Sequence, residues 1–185
     1  ESSRYCSAVF LDIQQAFDKV WHDGLLYKIK MLLPHPYFLL IKSYLSDRYF
    51  QIKLKAEISS PSHQSGVSQG SVLGPVLHLI YIHDLPTTVN KSLLLADDTI
   101  ILAFNENLFL ALQYLEDHLD LLLQWLDRWR VQTNRYKSQH ITFSLRKQTF
   151  PSVKLNNADI TTVSYVNYLG LHLDEHLTWK HHIIT

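Results

Sequence analysis

The amino-acid sequence predicts an α+β fold in which an antiparallel β-sheet carries helices packed on one face. Short apolar, strand-like runs and longer segments with helical spacing follow in the order strand, helices, loop and helix, hairpin, helix, strand. Hydrophobic residues make up 46% of the 185 residues and aromatic residues 12%, as in folded globular proteins. This length suits one domain with its own core, or one domain with an appendage.

The first part of the chain is predicted to form a strand, two helices and a second strand. Residues 5–13 are an apolar run that ends near Asp12. Residues 24–45 have helical spacing, and two prolines near the middle predict two helices that meet at a corner. Residues 49–58 alternate apolar and polar side chains, as a half-exposed strand does.

The rest of the chain is predicted to alternate between helices and strands. Its clearest feature is a long amphipathic helix with one broad leucine-rich face. The predicted elements are loop 59–74, helix 75–85, hairpin 93–104, helix 105–129, strand 139–145, a turn or hairpin at 149–160, and strand 163–173.

Two adjacent aspartates, Asp97 and Asp98, interrupt the apolar runs of the predicted hairpin. Buried carboxylates without a cation are costly, and two side by side repel each other. Asp12 ends the first strand, so an antiparallel sheet could bring all three carboxylates to one edge. Such a set could hold two Mg²⁺ ions about 4 Å apart, an arrangement that suits phosphoryl transfer. The alternative is an ordinary polar turn, where Asp is common.

Composition argues against several function classes. Lys and Arg (17) balance Asp and Glu (17), so nucleic-acid binding would require a local basic patch. The single cysteine, Cys6, excludes an internal disulfide and argues against redox chemistry. No run approaches the roughly 20 apolar residues of a membrane span, and the start is no signal peptide. We therefore expect a soluble protein of the cytoplasm and nucleus without a membrane partner, cut from a longer chain.

Five segments carry recognisable residue strings. They are LDIQQAFDKVWH at 11–22, GVSQGSVLGP at 66–75, LADD at 95–98, WLDRWRVQTNRYK at 125–137, and YLG at 168–170 followed by LTWK at 177–180. In this order they resemble motifs A to E of reverse transcriptases from non-LTR (LINE-type, Jockey-like) retrotransposons, and they cover nearly the whole chain. The resemblance implies a polymerase palm over 1–147, with the primer-grip hairpin and the start of the connection to the thumb in 148–185. The fingers and thumb of the same polyprotein would lie outside the chain.

The resemblance also implies a chemistry, RNA-directed DNA polymerisation. Two Mg²⁺ ions, or Mn²⁺ in their place, would support transfer of dNTPs onto the 3′-hydroxyl of a DNA primer on an RNA template. Asp12 and Asp97 would be the main metal ligands, and Asp98 would complete the site. Lys137 matches the family's candidate proton donor to the departing pyrophosphate; its alternative is an exposed surface lysine.

Other positions match the family's substrate-binding residues. Phe17, the fifth residue after Asp12, matches the steric gate that excludes a ribose 2′-hydroxyl, although a core Phe is the simpler alternative. Gln69 and Gly70 would lie along the nascent base pair, with a plain glycine turn as the alternative. The hairpin that grips the primer would contain Tyr168, Leu169 and Gly170.

One stretch is locally basic and rich in aromatic residues. Such a mixture can hold phosphates and stack on bases, but its tryptophans could equally pin the long helix to the core. The cationic residues are Arg128, Arg130, Arg135, Lys137, Arg146 and Lys147, and the aromatic ones are Trp125, Trp129 and Tyr136.

Two rival hypotheses stay open. A relic or domesticated palm that only binds nucleic acid would explain four departures from the family pattern, at Ser68, His78, His83 and Leu95. A zinc-peptidase motif, H-x-x-E-H, spans 172–176, but that motif needs a helix and this segment alternates like a strand.

Overall fold

The chain divides into two compact units in the computed structural model. The sheet unit contains Glu1–Gln14, Leu85–Arg128 and Gln132–Thr185, and the helical unit contains Gln15–Asp84 and Trp129–Val131. The predicted division between 147 and 148 stays a prediction. The structure describes residues 5–14, 16–47, 49–51, 53–54, 57–59, 62–63, 66–67, 70–87, 92–95, 98–134, 136–145, 150–155, 158–179 and 182–183.

Helices and short strands alternate along the described residues. The helices are α1 (His22–Leu32), α2 (His35–Leu45), α3 (Leu73–Ile82) and α4 (Leu108–Arg128). The strands are β1 (Tyr5–Asp12), β2 (Tyr49–Phe50), β3 (Lys53–Leu54), β4 (Glu57–Ile58), β5 (Ser62–His63), β6 (Ser92–Leu95), β7 (Asp98–Asn105), β8 (Gln139–Phe143), β9 (Lys154–Leu155), β10 (Ala158–Asp159), β11 (Thr161–Thr162), β12 (Tyr165–Tyr168) and β13 (Leu171–Asp174). None of these helices is long and apolar enough to cross a membrane.

The sheet unit is built on five strands in the order β11-β8-β1-β7-β6. β1 lies between β7 and β8 and is antiparallel to both, and β6 and β7 form the predicted hairpin. The exception to the predicted antiparallel sheet is β11, which pairs parallel to β8. The chain between these two strands is long enough for the crossover that a parallel pair requires.

The two faces of this sheet are covered differently. Val9, Leu11 and Ile101 alternate onto the face where α4 contacts β1 and β7, and all three are buried. On the other face, Ala8 and Ile141 pack against Val166 of β12. A helix therefore covers one face, as predicted, and the hairpin β12–β13 packs on the other.

Residues 163–173, predicted as one strand, form this hairpin instead. Leu169 and Gly170 make the turn with φ values of 50° and 80°. The left-handed backbone is easy for glycine, so Gly170 is the residue that permits the reversal.

The helical unit confirms the predicted helix pair and its corner. α1 ends at Leu32, and Pro34 precedes the first turn of α2, where the fixed φ of proline is tolerated. α1 also contacts α3. Among the described residues of 49–58, the predicted half-exposed strand is replaced by the two-residue strands β2, β3 and β4. β2 pairs with β5, and β3 pairs with β4.

Candidate active site

Two of the predicted metal-binding aspartates occupy opposite positions at one end of the sheet. Asp12 is the last residue of β1, Asp98 is the first residue of β7, and the two are Cα partners in the antiparallel ladder. The backbone register thus places two acidic residues directly across from each other at this end of the sheet. Asp97 and the side chain of Asp98 lie outside the described residues.

The backbone of Asp12 is hydrogen-bonded on both sides, whereas no described group bonds to its carboxylate. Its carbonyl accepts the Asn134 N–H at 2.8 Å, and its own N–H donates to Ser138 Oγ at 3.4 Å. The side chain is half-buried, and none of the described Lys or Arg residues pairs with it. A half-buried carboxylate opposite a second aspartate fits a divalent cation. Among the described residues no three His, Cys, Asp or Glu side chains cluster closely enough to hold a metal ion.

Asp12 lines a cleft together with two other predicted site residues. The cleft has a volume of about 160 Å³ and lies between the end of the sheet and β12. Lys137, which is exposed, and Tyr168 line it, as do Gln139 and other residues. The fold therefore brings together residues of the segments that resemble motifs A, D and E, which are far apart in the sequence. The cleft is also lined by Phe10, Leu11, Thr99, Val166 and Asn167.

The residues predicted to grip a primer sit at the end of the β12–β13 hairpin. Tyr168 packs edge-on against Phe10, with ring centroids 5.5 Å apart. Leu169 is 58% exposed, and Gly170 is also exposed, with no atom of the described residues within 4 Å of an added Cβ. The hairpin is thus anchored by its strands and open to solvent at its turn.

Phe17 belongs to the helical unit, where it is held by the loop before α3 and by α3 itself. Its carbonyl accepts the Val67 N–H at 2.8 Å, and its ring lies 4.6 Å from the ring of buried His78, centroid to centroid. Gly66 has a φ of 79°, and a Cβ there would overlap the backbone of Phe17. Phe17 itself is half-buried, so both the steric gate and the core Phe stay open as predictions.

The two other nucleotide-contacting positions are less constrained by the structure. Gly70 is exposed with a φ of 80°, and an added Cβ would meet no atom of the described residues within 4 Å. It therefore satisfies the turn that the alternative predicted. Gln69 lies outside the described residues.

The aromatic residues of the basic stretch divide between core and surface. Trp125 of α4 is buried, as the alternative predicted. Trp129 is half-buried in the helical unit, where its ring lies 3.6 Å from the Lys28 ammonium. Arg130 stacks on Trp21 at 4.1 Å. Tyr136 is 81% exposed, which leaves its ring accessible for stacking. Arg135, Arg146 and Lys147 lie outside the described residues.

The rival chemistries gain no support from the structure. His172 lies in β13, and His176 lies in the turn after it, where its Nδ1–H donates to Ser144 O at 2.6 Å. The H-x-x-E-H segment is therefore not helical, as the zinc motif requires. Burial raises the pKa of Cys6 to about 12, which keeps the thiol protonated and unreactive.

Asn134 and Ser138 both contact the Asp12 backbone, although the sequence pattern predicts no role for either residue. The signal was present in part, because an Asn two residues before Tyr136 is typical of a side-chain-to-backbone turn. The pairing of that turn with Asp12 is a long-range contact that no local pattern shows.

Comparisons with known proteins agree with the motif order. Residues 1–173 match the family described as reverse transcriptase (RNA-dependent DNA polymerase). The RNA-directed DNA polymerase from mobile element jockey of Drosophila melanogaster is 39% identical over an alignment of 193 residues, which covers 99% of this chain and 21% of that protein. The probable RNA-directed DNA polymerase from transposon X-element of the same species is 38% identical over 190 residues, with the same coverage. The chain thus spans about a fifth of the length of these relatives.

Solved structures with a similar fold include two structures of telomerase from Candida tropicalis. The apo enzyme truncated from the C-terminal domain has a TM-score of 0.64 and 15% identity, over 95% of this chain and 35% of that one. The enzyme in complex with a fragment of telomeric RNA has a TM-score of 0.63 and 13% identity, over 97% and 30%. These similarities support the palm-like α+β fold. The similarity to the Drosophila mobile-element polymerases confirms the resemblance seen in the motifs, and the family match over almost all of its length shows that the chain belongs to the reverse transcriptase family.

Proposed function

We propose that this chain forms the catalytic palm of an RNA-directed DNA polymerase, which adds dNTPs to the 3′-hydroxyl of a DNA primer on an RNA template. The observation that carries the proposal is the register that sets Asp12 opposite Asp98, at the cleft that Lys137 and Tyr168 also line. Family membership and the names of the mobile-element relatives support the same reaction. One of the two similar telomerase structures contains bound RNA, which supports a nucleic-acid template.

The reverse transcriptase family depends in general on divalent metal. We assign this role to two Mg²⁺ ions, with Mn²⁺ as a substitute, held by Asp12, Asp97 and Asp98. When bound, such ions activate the attacking hydroxyl and neutralise phosphate charge. The chain contributes the rigid strand ends that set Asp12 and Asp98 against each other. Because both the N–H and the carbonyl of Asp12 are hydrogen-bonded, the backbone position from which its side chain extends is fixed.

Lys137 supplies a positive charge to the same cleft. Its ammonium is exposed to solvent, so it can reach a departing pyrophosphate, donate a proton to it and stabilise its charge. In this proposal Phe17 excludes a ribose 2′-hydroxyl, and Gln69 and Gly70 follow the nascent base pair. The exposed hairpin turn contacts the primer through Tyr168, Leu169 and Gly170.

The metal site is tested directly on the 185-residue chain. We expect Mn²⁺ binding, followed by electron paramagnetic resonance, to weaken at least about tenfold in Asp12→Asn and in Asp97→Asn, since each removes a charged ligand. Asp127→Asn, at an exposed aspartate near the end of α4, is the matched control and should leave binding unchanged. Equal Mn²⁺ affinity in Asp12→Asn and in the unsubstituted chain would contradict the assignment.

Polymerisation is tested in a chimaera, in which this chain replaces the matching segment of the jockey polymerase. We expect extension of a DNA primer on an RNA template, and its loss in Asp97→Asn. A folded chimaera that binds RNA but does not extend the primer, beside an active jockey polymerase, would instead support the inactive relic.

A further inference from the structure

The turn that begins at Asn134 and ends at Ser138 is hydrogen-bonded to the backbone of Asp12 at both ends. The Asn134 N–H donates to Asp12 O at 2.8 Å, and the Asp12 N–H donates to Ser138 Oγ at 3.4 Å. Ser138 is fully buried. The turn is therefore held against the end of β1, where the candidate metal ligand lies.

Asn134 also holds the turn together internally. Its side-chain Oδ1 accepts the Tyr136 N–H at 3.2 Å. Its carbonyl accepts the Lys137 N–H at 3.1 Å, the Ser138 N–H at 2.9 Å and the Ser138 hydroxyl at 2.9 Å. Among these bonds, the one from Tyr136 N–H to the Asn134 side chain is the one that depends on the residue type at position 134, and Asn and Asp are the residues that make it well.

Lys137 is the third residue after Asn134 and lines the cleft with Asp12. We propose that Asn134 is a positioning residue for Lys137: its side chain shapes the turn that holds the Lys137 ammonium in the cleft beside Asp12. The inference rests on the proton-donor role proposed for Lys137. An exposed lysine on an unrestrained turn would sample many positions, and a displacement of about 1 Å at a reacting group can cost roughly 100-fold in rate.

The first test follows amide hydrogen exchange in the 185-residue chain by NMR. Asn134→Ala should lose protection at Tyr136, Lys137 and Ser138, whereas Asn134→Asp should retain it, because a carboxylate oxygen accepts the same bond. Asn107→Ala is the matched control, since Asn107 Oδ1 accepts the Phe109 N–H at 2.9 Å in the same kind of turn before α4. Unchanged exchange at these three amides in Asn134→Ala would overturn the proposal.

The second test measures single-turnover primer extension by the jockey chimaera. Asn134→Ala should lower the maximal rate at least about tenfold with little change in the half-saturating dNTP concentration, and Asn134→Asp should restore most of it. The double variant with Lys137→Ala should be no slower than Lys137→Ala alone, because both changes remove one function.

The possible failures are distinguishable. If the effects of Asn134→Ala and Lys137→Ala multiply, Asn134 acts independently of Lys137 and only the present inference is wrong. If the unsubstituted chimaera does not extend a primer at all, the proposed function fails, and this role of Asn134 is withdrawn with it.

Discussion

Acidification is expected to destabilise the sheet unit through His140, a fully buried residue of β8. Burial lowers the pKa of His140 from its ordinary value of 6.5 to about 4. Both ring nitrogens are near hydroxyls: Nε2 lies 2.7 Å from Ser7 Oγ, and Nδ1 lies 3.2 Å from Thr162 Oγ1. The donor in each pair depends on the tautomer. This environment therefore favours the neutral imidazole, and protonation of His140 in the folded chain costs free energy.

The magnitude follows from proton linkage. Between pH 6.5 and about 4 the unfolded chain binds a proton at His140 that the folded chain does not, so stability falls as the pH falls. The depression from 6.5 to about 4 corresponds to about 3 kcal/mol, fully present above pH 6.5 and lost below pH 4. Burial also lowers the pKa of His118 on α4, so this residue acts in the same direction.

Urea unfolding at pH 7.5 and pH 4.5 checks this prediction. His140→Gln should lose less stability between the two pH values than the unsubstituted chain, by about 2–3 kcal/mol. Ser7→Ala keeps the histidine and removes one of its partners, so it should lower stability by a similar amount at both pH values. An equal pH dependence in His140→Gln and the unsubstituted chain would show that His140 does not cause the loss of stability at low pH.

Three further predictions concern the helical unit. Lys28 is buried and pairs with Asp84, so Asp84→Ala should cost more free energy of unfolding than Lys28→Met, because only the former leaves a buried cation without its carboxylate. Denaturant titration of both variants measures the order, and the reverse order would contradict it. Gly66→Ala should destabilise the chain by about 2 kcal/mol or more in the same assay, because its φ of 79° and the nearby Phe17 backbone leave no room for a Cβ; a loss below about 0.5 kcal/mol would contradict this. In the chimaera, Phe17→Ala should raise ribonucleotide incorporation relative to dNTPs by roughly tenfold or more. Because the His78 ring packs against Phe17, His78→Ala should raise the same ratio by a smaller factor, and His78→Phe should leave it unchanged. An equal ratio of ribonucleotide to dNTP incorporation in Phe17→Ala, His78→Ala and His78→Phe would contradict the gate.

The elements predicted from sequence were those whose pattern is local. The leucine face predicted α4 because its burial repeats with the helical period. Pro34 predicted the corner between α1 and α2 because proline restricts its own φ and the residue before it. The hairpin β6–β7 followed from two apolar runs around a polar break. In each case one short segment carries the signal.

The parts that sequence could not predict depend on pairing between distant segments. The parallel addition of β11 to β8 is one case, since the two-residue strand has no periodicity of its own. Another is the burial of Lys28, a residue type that is usually exposed; here it donates to Tyr81 O at 2.5 Å and lies over the Trp129 ring. The sequence suggested that Asp12 lies near the aspartate pair, but only the ladder shows that its partner is Asp98.

A comparison of two aspartates explains why the end of β1 is the better candidate for chemistry. Asp174, at the end of β13, is buried, and its carboxylate accepts the His176 N–H, the Thr178 N–H and the Thr178 hydroxyl. Those bonds account for its burial and leave it a structural residue. Asp12 also ends a strand and is half-buried, but among the described residues the hydrogen bonds reach its backbone and none reaches its carboxylate. At the end of β1 the fold restrains the backbone of Asp12 and places Asp98 opposite it in the ladder, yet no described protein group bonds to the Asp12 carboxylate. This arrangement departs from the usual pattern, in which a half-buried carboxylate is paired. Such departures are expected where a ligand completes the site.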